Sequence, residues 1–200
     1  MRVLGISGSL RRDSHNQRLL RAAADLLPPG AELVAFDGLK AIPPFDEDDE
    51  HAPGEAVEAW RRELVLADVV LFATPEYNGS IPGVLKNAID WASRKGPASV
   101  NADLQTVPRS APRTAALRNR PVAVVGASTG MFGAVWAQAE LRKVLATAGA
   151  RVVDRELAIA AADDAFTAAG RLVEAEHHDE LASILEQLVA EAQPRFASAA

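Results

Sequence analysis

Apolar residues along this chain follow two spacings, and each change from one to the other marks an element boundary. Short β-branched runs predict strands at Arg2–Ser7, Glu32–Phe36, Val69–Thr74, Pro121–Ala127 and Arg151–Leu157. Between them, apolar positions recur three and four apart. That spacing predicts helices over Ser14–Leu27, Gly54–Ala67, Pro82–Arg94, Phe132–Ala148 and His177–Ala192. In the first helix Leu19, Leu20, Ala23 and Leu26 fall on one side. Strand and helix in alternation predict an α/β fold, a five-stranded parallel sheet with helices on both faces. No repeat and no second domain interrupts the pattern, so residues 1–200 read as one domain.

Composition narrows this picture. Two hundred residues, 48% of them hydrophobic, can bury a sizeable core. No apolar run is long enough to cross a membrane, and Met1-Arg-Val-Leu-Gly5 lacks a signal peptide's apolar centre; both predict a cytoplasmic protein. With no cysteine there is no disulfide framework and no thiolate chemistry. The four histidines are scattered, and no metal site is expected among them. A net charge of −6 disfavours nucleic acid as the main partner.

Two segments carry candidate chemistry. Gly8-Ser-Leu-Arg-Arg-Asp-Ser-His-Asn16 lies between the first strand and the first helix. Free amides and the positive end of a helix dipole make such a loop an anion site. Ser9, Ser14 and Asn16 add hydrogen bonds, and Arg11 a charge-assisted one. The loop is neither Gly-x-Gly-x-x-Gly nor a Gly-Lys-Ser/Thr P-loop, which leaves a site for a single phosphate. Simple capping of the helix by one of these residues is the plainer reading, but capping has no use for Arg11. The second segment, Pro75-Glu-Tyr-Asn-Gly-Ser-Ile-Pro-Gly-Val-Leu-Lys-Asn-Ala-Ile-Asp-Trp91, follows the buried third strand. Strand ends of open α/β sheets are where ligands bind. Pro75 fixes the backbone direction, Tyr77 offers a flat ring, and Asn78-Gly79 is a turn signal that predicts positive φ at Gly79. A planar cofactor edged by polar atoms suits this loop.

Gly8-Ser-Leu-Arg with Ser14-x-Asn16, and the whole Pro75–Trp91 segment, closely resemble the NAD(P)H-dependent FMN reductases, the quinone, azo-dye and chromate reductases of flavodoxin-like fold. Val122-Ala-Val-Val-Gly-Ala-Ser-Thr-Gly-Met-Phe-Gly133, followed by Ala137-Gln-x-x-Leu-Arg142, is similar to the family's third ligand loop and helix. The resemblance runs from about Val3 to about Leu157. It implies strand order 2-1-3-4-5, with the ligand at the switch point between strands 1 and 3. It also implies bound FMN, with NADPH or NADH as electron donor. By this resemblance Ser9, Arg11, Ser14 and Asn16 hold the phosphate and Pro75, Glu76, Tyr77 and Asn78 lie against the ring, with His15, Gly79 and Ser128 also binding the cofactor. Electrons then pass by a ping-pong route from nicotinamide through FMN to small acceptors: quinones, azo compounds, metal oxyanions or free flavin. No side chain is compelled to act as acid or base. The alternative within the fold is a flavodoxin-like electron carrier or redox-responsive binding protein without robust NAD(P)H oxidation.

The remaining segments are less specific. Phe45-Asp-Glu-Asp-Asp-Glu-His51 reads as a solvated acidic loop or as a contribution to a partner subunit's site. Lys95–Arg120 is longer than the family's usual connection, which suggests an insertion, a dimer arm or a basic docking surface. Lys86 and Asp90 read as a surface pair. Val84, Leu85, Ala88, Ile89 and Trp91 give the third helix more apolar surface than sheet packing requires, predicting a homodimer or homotetramer that uses this helix. The C-terminal tail is expected to be disordered.

Overall fold

A computed structural model describes residues 1–94 and 115–192. Much of the Lys95–Arg120 connection and the tail from 193 lie outside the described residues. In chain order the elements are β1 (Arg2–Ser7), α1 (His15–Leu26), β2 (Glu32–Ala35), a short 3-10 turn (Gly38–Ala41) and α2 (Glu55–Leu66). Then come β3 (Val69–Thr74), α3 (Gly83–Ser93), β4 (Pro121–Ala127), α4 (Val135–Thr147), β5 (Arg151–Val152), β6 (Ala158–Ile159) and α5 (Ala175–Ala192).

All the strands pair in parallel, in the order β2-β1-β3-β4-β5, with β6 also on β4. β3 and β4 are buried along their whole length, so helices must cover both faces. The pleat sorts the side chains. Leu4, Ile6, Val70, Phe72, Val122 and Val124 face Trp60 of α2, Trp91 of α3 and Leu141 of α4. Val3, Val69, Leu71, Ala123 and Val125 face Leu19 of α1 and Leu181, Ile184 and Leu188 of α5. The first and third strands of the sheet are therefore neighbours, and their carboxyl ends open side by side.

The fifth strand differs from expectation. Val122 of β4 pairs with Val152, but Gly126 pairs with Ala158, so four steps along β4 face six along its partner. Of the predicted Arg151–Leu157 strand only Arg151–Val152 forms, and a bulge over residues 153–157 carries the two-residue excess before the chain pairs again at Ala158–Ile159, beyond the predicted end. Arg155 ties that bulge to Glu180 of α5 at 2.8 Å, and Arg142 of α4 ties it to Glu156 at 2.9 Å. The Arg155 hydrogen bond also holds the Glu180 carboxyl below its ordinary titration range. The fourth helix starts later than predicted, at Val135, because Gly133 (φ +57°) and Ala134 (φ +65°) are left-handed. A Cβ at Gly133 would lie 2.6 Å from the Ala158 backbone, so glycine is what lets this loop press against β6.

The acidic run is a strap over α3. The Phe45 N–H donates to Asn87 at 2.7 Å, and the indole of Trp91 donates to the Pro43 carbonyl at 2.9 Å. Phe45 meets Trp91 edge-on, and Arg94 pairs with Glu47 at 3.2 Å and with Glu50. This corrects the expectation for α3. Leu85, Ala88, Ile89 and Trp91 are at most 1% exposed within the chain and offer no surface to a partner; of the five apolar residues only Val84 is half-buried. Lys86 and Asp90 form the expected surface pair at 2.7 Å. At the described end of the long connection, Arg120 is not a docking cation. It donates to the carbonyls of Val65 and Ala67 at the end of α2, and burial lowers its pKa.

Candidate active site

Three loops leave the carboxyl ends of β1, β3 and β4. The first begins at Gly8, whose N–H donates to the Ala73 carbonyl of β3, and ends at Ser14. Ser14 is the N-cap of α1; its hydroxyl accepts the Asn16 N–H at 3.1 Å. Within the loop, the Ser9 hydroxyl accepts the Arg11 N–H at 3.3 Å. The N–H groups of Leu10, Arg12, Asp13 and His15 have no partner among the described residues. Open amides at the positive end of a 12-residue helix, with Arg11 and Arg12 exposed beside them, are chemically able to hold an anion.

The second loop is a tight hairpin. Tyr77 and Ser80 exchange two backbone hydrogen bonds, at 3.0 and 3.1 Å, around Asn78 (φ +55°) and Gly79 (φ +73°). Two consecutive left-handed residues make the turn that Asn-Gly favours. Nothing lies within 4 Å of a Cβ built at Gly79, so the requirement there is torsional alone. Pro75 is buried, Tyr77 is 51% exposed, and the Tyr77 amide is occupied by Ser80. The amides of Glu76, Asn78 and Gly79 stay open among the described residues. The Glu76 carboxylate accepts the Ala137 N–H at 3.1 Å, capping α4, whose own N-cap Ala134 has no side chain for the task. The Ser80 hydroxyl donates to Glu140 of α4 at 2.6 Å. Both contacts fix the hairpin to α4.

The first two loops touch: the Ser9 and Tyr77 hydroxyls are 3.5 Å apart. The third loop stands beside them. Its Ser128 hydroxyl accepts the Gly130 N–H at 3.2 Å, and its backbone bonds to Ile159 and Ala162. Besides Ser14 and Glu76, which cap helices, two more of the predicted residues have structural duties. Asn16 is 2% exposed; its amide donates to the Ala127 carbonyl at 2.9 Å and accepts the Ala127 N–H at 3.0 Å. His15 is 9% exposed, its Nε2 lies 3.1 Å from Asp163, and its ring stacks on Phe166.

Of the other residues beside these loops, Met131 and Phe132 fall in the third-loop motif, whereas Trp136 and Glu140 escaped the sequence reading. Phe132 and Trp136 pack edge-on at 4.9 Å and are each more than half exposed, with Met131 beside them at 81%. Their spacing of four within a helical stretch was an available signal. They lie next to the Tyr77 hairpin because Glu76 and Ser80 grip the same end of α4. Gln138, fully buried under this loop, donates to the Gly133 carbonyl at 3.3 Å. Glu140 could not be foreseen, since its partner Ser80 lies 60 positions away.

A parallel sheet of this order, with open amides at the switch point between β1 and β3, defines a flavodoxin-like α/β protein. The chain belongs to the NADPH-dependent FMN reductase family, whose model matches residues 1–164. It is 42% identical to an NAD(P)H-dependent FMN reductase of Pseudomonas aeruginosa, over 87% of this chain and 85% of that one. It is 34% identical to a quinone reductase of Escherichia coli, over 78% and 74% of the two chains. Among solved structures, the flavoenzyme NAD(P)H:(acceptor) oxidoreductase FerB from Paracoccus denitrificans superposes with a TM-score of 0.79. The two share 29% identity over 96% of each chain. This chain is therefore an NAD(P)H-dependent reductase of the FMN and quinone reductase type, and its family implies FMN and NAD(P)H as cofactors.

The double hydrogen bond of Asn16 generates a prediction. Asn16→Ala leaves the Ala127 N–H and carbonyl buried without partners, which costs about 1–3 kcal/mol for an unsatisfied group. Urea unfolding monitored by tryptophan fluorescence should show that loss, whereas Asn78→Ala, on the exposed turn, should cost less.

Proposed function

We propose that the chain acts as one FMN-holding domain and passes electrons from a nicotinamide donor to small acceptors. The run of open amides at Leu10, Arg12, Asp13 and His15, in the loop whose Ser9 touches Tyr77, carries this reading. The phosphate would sit on those amides, with Ser9, Arg11 and the Ser14 hydroxyl adding hydrogen bonds. Asn16 holds the cradle in shape; its second amide hydrogen remains available. His15 would contribute its backbone N–H, since its ring is packed on Phe166.

The flat part of the cofactor would lie against Pro75–Gly79 with Ser128 across from it. The open amides of Glu76 and Asn78 can donate to its polar edge and favour negative charge there. When bound, FMN supplies the redox chemistry, accepting a hydride equivalent and giving up electrons to a second substrate. The protein's own task is to orient, to shield one face and to leave the other open. Glu76 is occupied at the α4 terminus, so no proton transfer is assigned to it. Quinones, azo compounds, metal oxyanions and free flavin all fit a site that asks only for a flat or compact acceptor.

Purified protein reduced anaerobically with each nicotinamide tests this reading: loss of the flavin absorbance on mixing is the expected result. Arg11→Ala should weaken FMN binding roughly tenfold or more through one lost charge-assisted hydrogen bond, and leave riboflavin binding unchanged. Equal affinity of the wild type for FMN and riboflavin would remove the phosphate from the loop.

The same reading includes a cytoplasmic homodimer, with its contact moved from α3 to α4. Met131, Phe132 and Trp136 form an exposed apolar group beside the Tyr77 hairpin, where α3 has none. The wild type should scatter light as a dimer, and Phe132→Asp with Trp136→Asp should scatter as a 21.2 kDa monomer. A wild-type monomer at micromolar concentration would overturn this contact.

A further inference from the structure

On the other side of the phosphate loop, away from the Tyr77 hairpin, lies a cleft of about 650 Å³. It opens between α1 and the carboxyl end of β2, beside Ser7 at the end of β1, and shares Ser9, Leu10 and Arg12 with the loop itself. None of the residues proposed to hold the ring lines it. Its volume is that of an ordinary small-molecule site.

The chemistry of the cleft is uneven. Gly5, Ala24 and Ala35 present little side chain to its interior, so a flat group can approach the backbone there. Gly5 is closely roofed, since a Cβ on it would meet Leu33 at 2.9 Å. Arg12, Arg21 and Lys40, all exposed, contribute three cations to the lining, against one carboxylate, Asp37. In a chain of net charge −6 this local positive sign is a reversal, and it favours an anion. Asp37 follows the second strand of the sheet, where a carboxylate can accept hydrogen bonds from ribose hydroxyls in dinucleotide-binding folds.

We propose that this cleft is a subsite for an adenosine monophosphate group. Arg21 and Lys40 hold its phosphate, the small-residue floor takes the base, and Asp37 takes the ribose. The inference rests on the placement of the flavin phosphate in the adjoining loop proposed above. Two molecules present this group next to that loop: the nicotinamide dinucleotide donor, and FAD, whose second half continues from the flavin phosphate. Both share the AMP chemistry and differ in what is attached to it.

Titration of the FMN-loaded protein with AMP tests the proposal. AMP should bind, and Arg21→Ala combined with Lys40→Ala should weaken it about tenfold or more, two charge-assisted contacts being lost. FMN affinity should stay within about twofold of wild type, because neither side chain belongs to the cradle; that also verifies the fold. The source follows from two further measurements on the same variant. A raised KM for NADPH, with none for reduced nicotinamide mononucleotide, assigns the cleft to the donor. Weakened FAD binding at constant FMN affinity assigns it to the flavin. No AMP binding, or AMP binding unaffected by the double substitution, overturns the proposal. Failure of FMN to bind the wild type would instead overturn the flavin reading, and AMP titration of the bare protein would still decide the cleft.

Discussion

The side chain of Asn16 holds both backbone groups of Ala127, and the rest of the site depends on that pairing. Asn16 is in the first turn of α1 and Ala127 is the last residue of β4, 111 positions later. The clamp sets the start of the helix against the end of the sheet. The amides ahead of α1 then open where the β3 and β4 loops also emerge. Both Asn16 and Ala127 are buried, so the two bonds form away from water, where leaving either group unpaired is expensive. A residue that looks like a ligand contact in the sequence is thus first a structural tie.

The Tyr77 hairpin depends on a comparable economy of contacts. Its turn is set by two left-handed residues, and its position by two side chains that reach α4, Glu76 and Ser80. Because Glu76 also caps α4, the hairpin and the helix support each other. Tyr77 is left half-exposed, its hydroxyl near Ser9. Rigid backbone and open amides, rather than an ionisable side chain, are what this site presents. That suits a reaction whose difficult chemistry belongs to a flavin.

Local signals were legible in the sequence, and contacts distant along the chain were not. The alternation of β-branched runs with helical spacing located β1, β3 and β4 to the residue, because each is buried on both faces or nearly so. Ser14 as cap and positive φ at Gly79 also followed from residue type alone. The interrupted fifth strand did not, since Val153 and Leu157 are both apolar, and only pairing with β4 shows the two-residue excess. The strap that covers α3 was equally hidden. Its acidic residues look solvated until Arg94, on another element, is placed between them. The apolar surplus assigned to α3 belonged to that strap, and the exposed surplus lies on α4.

A crystal structure of the protein with FMN bound tests the central claim most directly. The account predicts the phosphate within hydrogen-bond reach of the Leu10, Arg12, Asp13 and His15 amides, and the ring against the Tyr77 hairpin. The Asn16–Ala127 bonds should be unchanged. FMN bound elsewhere, or a phosphate held with those amides unused, would contradict it.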